Sequence, residues 1–183
     1  MINLSHMGLS TVTMDLLSAE IENEDDPSSK DDDDDDDDDD NDSDDRLSSI
    51  TGLDLSHNRM TDLDFLSRLP RLQTLILDHN ELGSHLRLPV LPALHTFWAN
   101  HNRVSNVAIL VSTLRAAAPG LRYLSLMNNP CAPSYLNGGT VKAYRDYRHF
   151  VIGKLTSLTD LDDRPVAKLE RAEAEKVYGA FEL

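Results

Sequence analysis

The sequence predicts a short α/β solenoid of leucine-rich repeats, with a parallel concave sheet and a C-terminal helical cap. Three observations predict it: a frame of apolar residues that returns four times, an asparagine at one fixed place in each copy, and an apolar helical segment after the last copy. Ile50, Leu53, Leu55, Asn58 and Met60 fill the frame L-x-x-L-x-L-x-x-N-x-L once, and Leu72, Leu75, Leu77, Asn80 and Leu82 fill it again. Leu94, Phe97, Ala99, Asn102 and Val104 make the third copy; Leu121, Leu124, Leu126, Asn129 and Cys131 make the fourth. The asparagines are 22, 22 and 27 residues apart.

The spacing has a local cause. The two leucines of L-x-L share one face of a short strand, because strand side chains alternate with period two. The chain then turns, and an asparagine side chain can satisfy backbone groups that the turn leaves unpaired. Asn58, Asn80, Asn102 and Asn129 are therefore structural residues. One repeat cannot bury its apolar face, so stability comes from the stack. Phe97 and Ala99 replace two leucines as a large and small pair that can conserve core volume.

The connections differ. Pro89 and Pro92 disfavour a regular helix between the second and third copies. The longer fourth step holds Val107, Leu110, Val111 and Leu114, a helix of about three turns with Ser105 as N-cap, ending near Pro119-Gly120. Ile2, Leu4 and Leu9 can be laid on Leu53, Leu55 and Met60, with Met7 in place of the asparagine, which gives a degenerate first repeat over 1–21. Residues 22–46 form an acidic insertion expected to be disordered, 47–131 the repeats, and 132–183 the cap and a last helix. In the cap, Tyr144, Tyr147, Val151, Ile152, Leu155, Leu158 and Leu161 suggest a helix leading into a final strand. After Pro165 a further amphipathic helix to Phe181 is expected to turn Val166, Leu169, Ala172 and Val177 inward.

Charge is concentrated in one place. The 183 residues carry a formal net charge of -15, yet residues 20–45 hold 18 acids against Lys30 alone. The remainder has 14 acids and 16 bases, so the folded body is close to neutral. The run Asp31 to Asp40 has nothing apolar to bury and lacks the glycine and glutamate of a calcium loop. Two readings stand beside each other: a solvated insertion, or an electrostatic attractor of basic partners. Cys131 is the only cysteine, which excludes an internal disulfide and suits a reducing compartment. No secretory leader and no apolar run of about 18 to 20 residues is present, so the chain is expected to be soluble, not membrane-spanning, and cytoplasmic or nuclear.

Leu75-Ile76-Leu77-Asp78-His79-Asn80-Glu81-Leu82-Gly83 runs on into Leu88-Pro89-Val90-Leu91-Pro92, and Leu121 to Leu126 leads to Tyr147-Arg148 and Phe150-Val151. Over roughly Leu72 to Tyr178 this combination resembles the leucine-rich melanocyte differentiation-associated protein family. The resemblance implies an adaptor in pigment-cell differentiation and lysosome-related organelle trafficking, with membrane-traffic proteins as partners. The chain is separately expected to be a monomer, and not to be an enzyme, since the sequence gives no sign of a convergent polar pocket. The N-terminal third, with its poly-aspartate, lies outside it. A second resemblance is to acidic leucine-rich nuclear phosphoproteins, which bind histones and other basic proteins, although in those the acidic tract follows the repeats.

The outward strand positions are the candidate partner-binding site. One column reads Asp54, Ile76, Trp98, Ser125, and its neighbour reads Gly52, Thr74, Thr96, Tyr123. Ile76, Trp98 and Tyr123 are expected to form an apolar patch, with Asp54, Asp78 and Asn100 as polar contacts; the competing possibility is that the cap covers Trp98. His57, His79 and His101 occupy one repeat position and should stack about 5 Å apart, as a solvated ladder rather than a zinc site. Cys131 reads as a small core filler and not a nucleophile. Arg145, Arg148 and His149 make a basic cluster too small for nucleic acid. Gly153-Lys154-Leu155 lacks the other parts of a phosphate loop, no catalytic motif is present, and no cofactor or metal is expected.

Overall fold

A computed structural model describes residues 1–24 and 46–179. Seven short strands form one sheet in chain order: β1 (Ile2–Asn3), β2 (Gly52–Asp54), β3 (Thr74–Ile76), β4 (Thr96–Trp98), β5 (Tyr123–Ser125), β6 (Asp160–Leu161) and β7 (Arg164–Pro165). β1 to β6 are parallel, and β7 turns back antiparallel on β6. Register follows the frame: Ile2 opposes Leu53, Leu53 opposes Leu75, Leu75 opposes Phe97, and Phe97 opposes Leu124. Each inward residue of that row is buried, as are Leu4, Leu55, Leu77, Ala99 and Leu126 in the row beside it. Residues 2–9 supply the strand and following loop of a first turn: Leu4 N–H donates to the Asp54 carbonyl at 2.8 Å and His6 N–H to that of Ser56 at 3.1 Å.

The helices lie at the back and the two ends. Helix α1 (Met14–Glu24) follows the first turn and buries Leu17. It reaches Glu24, so residues 22–24 are helical where the sequence suggested the start of disorder. Most of the expected insertion, residues 25–45, lies outside the described residues. Helix α2 (Val107–Ala117) buries Leu110, Val111, Leu114 and Ala117. Its cap is Asn106, not Ser105: the Asn106 side chain accepts from the amides of Ala108 and Ile109. Ser105 is taken up elsewhere, its amide donating to the Ser84 hydroxyl at 2.9 Å. The segment with Pro89 and Pro92 contains no helix.

The cap is helix α3 (Val141–Lys154), with Thr140 as N-cap, followed by β6 and β7. Tyr147, Val151, Ile152, Leu155, Leu158 and Leu161 are buried against the fourth repeat. Helix α4 (Lys168–Ala174) runs on into a π-helical turn, Glu175–Gly179. Its inward face is not the expected one. Leu169, Ala172 and Val177 are exposed and Val166 is half-buried, whereas Ala174 is buried and Glu170, Arg171 and Tyr178 are partly so. Polar anchors set that rotation: Arg148 holds Glu170 and the Leu161 carbonyl, and Arg171 donates to the Leu158 carbonyl. Gly153 completes the contact, since a Cβ there would stand 2.8 Å from the Ala174 carbonyl.

Candidate functional site

The ladder asparagines explain how the face is built. Asn80 Oδ1 accepts the Met60 amide, Asn102 that of Leu82, and Asn129 that of Val104. Each Nδ2 donates to a leucine or alanine carbonyl of the preceding strand, at 2.8 to 2.9 Å. Every asparagine therefore serves the repeat before its own. Asn58 does this for the first turn, accepting from Leu9 and donating to Leu4. Met7 stands at the corresponding place in the first turn and is exposed. On the far side, Asp162 Oδ1 takes over and accepts the Leu126 amide at 2.8 Å.

With inward rows fixed, the side chains between them face outward. Trp98 is 38% exposed and Tyr123 43% exposed, and Ile76 is half-buried beside them. Ile76 and Trp98 are directly opposed on β3 and β4, and Tyr123 opposes Thr96, two residues before Trp98. No cap residue covers Trp98 to the point of burial. Asp54 and Asp78 are half-buried at the borders of this group. Asp54 Oδ1 accepts the Ser56 amide, and Asp78 accepts from both the amide and the Nδ2 of Asn100.

Asn100 is not free to meet a partner. It is buried, and its Oδ1 accepts from the Ser125 hydroxyl at 2.7 Å and the Met127 amide at 2.8 Å. The sequence showed an outward column position but not that its neighbours consume every polar atom. Asn100 belongs with the ladder asparagines as a structural residue.

Residues 43–182 match the leucine-rich repeat family. The chain is a leucine-rich repeat protein. It is 39% identical over 81 residues to the human leucine-rich melanocyte differentiation-associated protein, a match covering 43% of this chain and 40% of that protein. The chain thus spans well under half of its human relative's length. Among solved structures, a chain of the Drosophila melanogaster SNF/U2A' complex superposes with a TM-score of 0.55 at 27% identity, covering 71% of this chain and 69% of that one. Leucine-rich repeat domains are protein-interaction modules, and this repeat protein has that role in general terms.

A second feature of this leucine-rich repeat protein is a row of histidines on the ascending loops. After each of strands β1 to β5 one residue takes a left-handed backbone: His6, His57, His79 and His101 at φ 54 to 61°, then Asn128 at 59°. Histidine and asparagine are among the residues that tolerate this conformation. The four imidazoles stack with centroids 4.0 to 4.2 Å apart and planes within 12°, and Asn128 meets His101 Nε2 at 2.9 Å. The row is longer by His6 than the column seen in the sequence. Stacked rings hold their in-plane lone pairs parallel, so two of them cannot address one ion at ligand distance. Among the described residues no three His, Cys, Asp or Glu side chains are placed so that they could hold a metal ion. Burial and the neighbouring imidazoles hold the His79 pKa below its usual value.

The remaining candidates fall to structure. Cys131 is partly buried against the core, and burial, aided by Asp162, pushes its thiol up to about 12. It stays protonated and is a poor nucleophile. Arg148 is not part of an exposed basic cluster: it is 4% exposed and bidentate on Glu170, at 2.6 and 3.0 Å. A cavity of about 550 Å³ beside the cap is lined by apolar groups including Met127, Pro133 and Tyr144, with Asp162 and Arg164 at its wall. No helix among the described residues is long and apolar enough to cross a membrane.

Proposed function

We propose that this protein is a non-enzymatic adaptor that captures a partner protein on its concave sheet, with Trp98 at the centre and Ile76 and Tyr123 beside it. The observation that supports this reading is the placement of two exposed aromatic rings on strands β4 and β5, each paired on both sides. Large aromatics of this kind dominate interface energetics, and a rigid sheet presents them with little ordering cost. Likeness to the human melanocyte differentiation-associated protein supports a finer version, in which the adaptor acts in pigment-cell differentiation; organelle trafficking with membrane-traffic partners in the cytoplasm is the further part of the same proposal. The U2A' neighbour, a protein solved in a complex, supports the general mode. Asp54 and Asp78 border the contact in this reading and serve recognition, not catalysis.

A second reading rests on composition. Ten consecutive aspartates, Asp31 to Asp40, favour binding of histones or other basic proteins through that run, with a nuclear site of action. One comparison separates the two. Affinity purification is carried out with the intact chain, with Trp98→Asp, and with the aspartates of 31–40 changed to asparagine. The adaptor reading expects partners lost from Trp98→Asp, whose fold is checked by circular dichroism, and retained by the neutralised chain. Loss confined to the neutralised chain overturns it.

A further inference from the structure

We propose that the concave face selects a basic partner: a segment presenting apolar side chains to Ile76 and Trp98, bordered by lysine or arginine for the carboxylates around them. This rests on the concave-face reading above and adds the chemistry of what binds there.

The outward face has three columns. One runs Gly52, Thr74, Thr96, Tyr123, Asp160; the next runs Asp54, Ile76, Trp98, Ser125; the third runs Ser56, Asp78, Asn100, Met127. No lysine or arginine stands in any of them, while Asp54, Asp78 and Asp160 do. These three are half-buried and surround the apolar group on three sides: Asp54 toward the first turn, Asp78 toward the loops, Asp160 toward the cap. Two of the charges are fixed in place, Asp54 by the Ser56 amide and Asp78 by Asn100. Arg122 and His95 stand outside, one residue ahead of β5 and β4, as does Arg164 on the edge strand β7 beyond Asp160.

An acidic or neutral segment pressed onto Trp98 would desolvate these carboxylates with no cation to answer them. A basic one answers them, and its cations can also lie against the rings of Trp98 and Tyr123, an arrangement favourable in itself. The acidic run of residues 31–40 has the same sign, so the composition of the chain and its concave face select in the same direction.

The test must separate the face from the acidic run. A phage library of random 16-residue segments is selected on the full chain and then counter-selected on full-length Trp98→Ala, which retains the run, adds no charge to the face and removes segments held by the run. The expected survivors show lysine and arginine enriched about twofold over the input. They also bind Asp54→Asn/Asp160→Asn roughly tenfold more weakly, with weaker binding at raised salt. The substitution Asp54→Asn keeps a side-chain oxygen to accept the Ser56 amide, so this variant is expected to fold as the parent does. Survivors without a basic excess, or indifferent to the double substitution, overturn the proposed chemistry and leave the docking face standing. No survivors after counter-selection overturn the face itself, and the proposal with it.

Discussion

The side-chain carbonyl of Asn80 accepts the backbone N–H of Met60, a residue of the preceding repeat, at 2.8 Å. The same amide group donates to the Leu55 and Leu77 carbonyls at 2.9 and 3.1 Å, so one buried side chain ties two turns of the solenoid together. Asn80→Ala orphans the Met60 amide, while the Leu55 and Leu77 carbonyls keep Asn58 and Asn102 as donors. We expect a loss of about 1–3 kcal/mol in urea unfolding, the range for one unsatisfied buried group. A loss below about 1 kcal/mol would mean that water or a relaxed turn replaces the asparagine.

Arg148 and Glu170 pin helix α4 to the cap. Glu170 is partly exposed, so Glu170→Ala is expected to cost about 2–3 kcal/mol, less than a fully buried pair. The Arg148 guanidinium holds the Glu170 carboxyl below its ordinary value. A depressed acid contributes stability above its unfolded pKa and loses it as pH falls through the folded one. Acid unfolding of the parent below about pH 4.5 should therefore include a component absent from Glu170→Ala.

The histidine row makes stability depend on pH in a milder range. Because the His79 pKa is lowered on folding, the unfolded chain binds more protons just below pH 6.5, and stability falls as pH falls through that window. Urea midpoints from about pH 7.5 to about 5.5 should decline in the parent and decline less in His79→Asn, which keeps a residue suited to the left-handed turn. Equal slopes would contradict the coupling.

How much of this could be read from the residues follows from how local each signal is. The leucine frame writes burial directly into the sequence, so Ile2, Leu53, Leu75, Phe97 and Leu124 stand where period two puts them. The outward placement of Ile76 and Trp98 follows from the same rule. Asn100 shares the outward face and is nevertheless buried, because its role depends on Ser125 and Met127, 25 and 27 residues away. Helix α4 misleads for a similar reason: its apolar residues suggested one face, but Arg148 and Arg171 chose another through polar contacts that leave no periodic trace. Gly153 looked only like a failed phosphate loop, and its close approach to Ala174 becomes visible with two helices in place.

That glycine gives a further check. At Gly153 a Cβ would meet the Ala174 carbonyl at 2.8 Å and Tyr178 Cβ at 3.0 Å, whereas at Gly83 nothing lies within 4 Å. Gly153→Ala should cost about 1–3 kcal/mol by forcing α3 and the last helical segment apart. Gly83→Ala should remain within about 0.5 kcal/mol of the parent.

Trp98 is the only tryptophan in the chain, so its emission reports on the concave sheet alone. Titrating a captured partner, made without tryptophan, into the full chain tests the docking face most directly. Contact at Trp98 predicts a blue-shifted, saturable change in emission and reduced quenching by iodide. Saturable binding seen by calorimetry with the emission unchanged would place the partner elsewhere on the molecule.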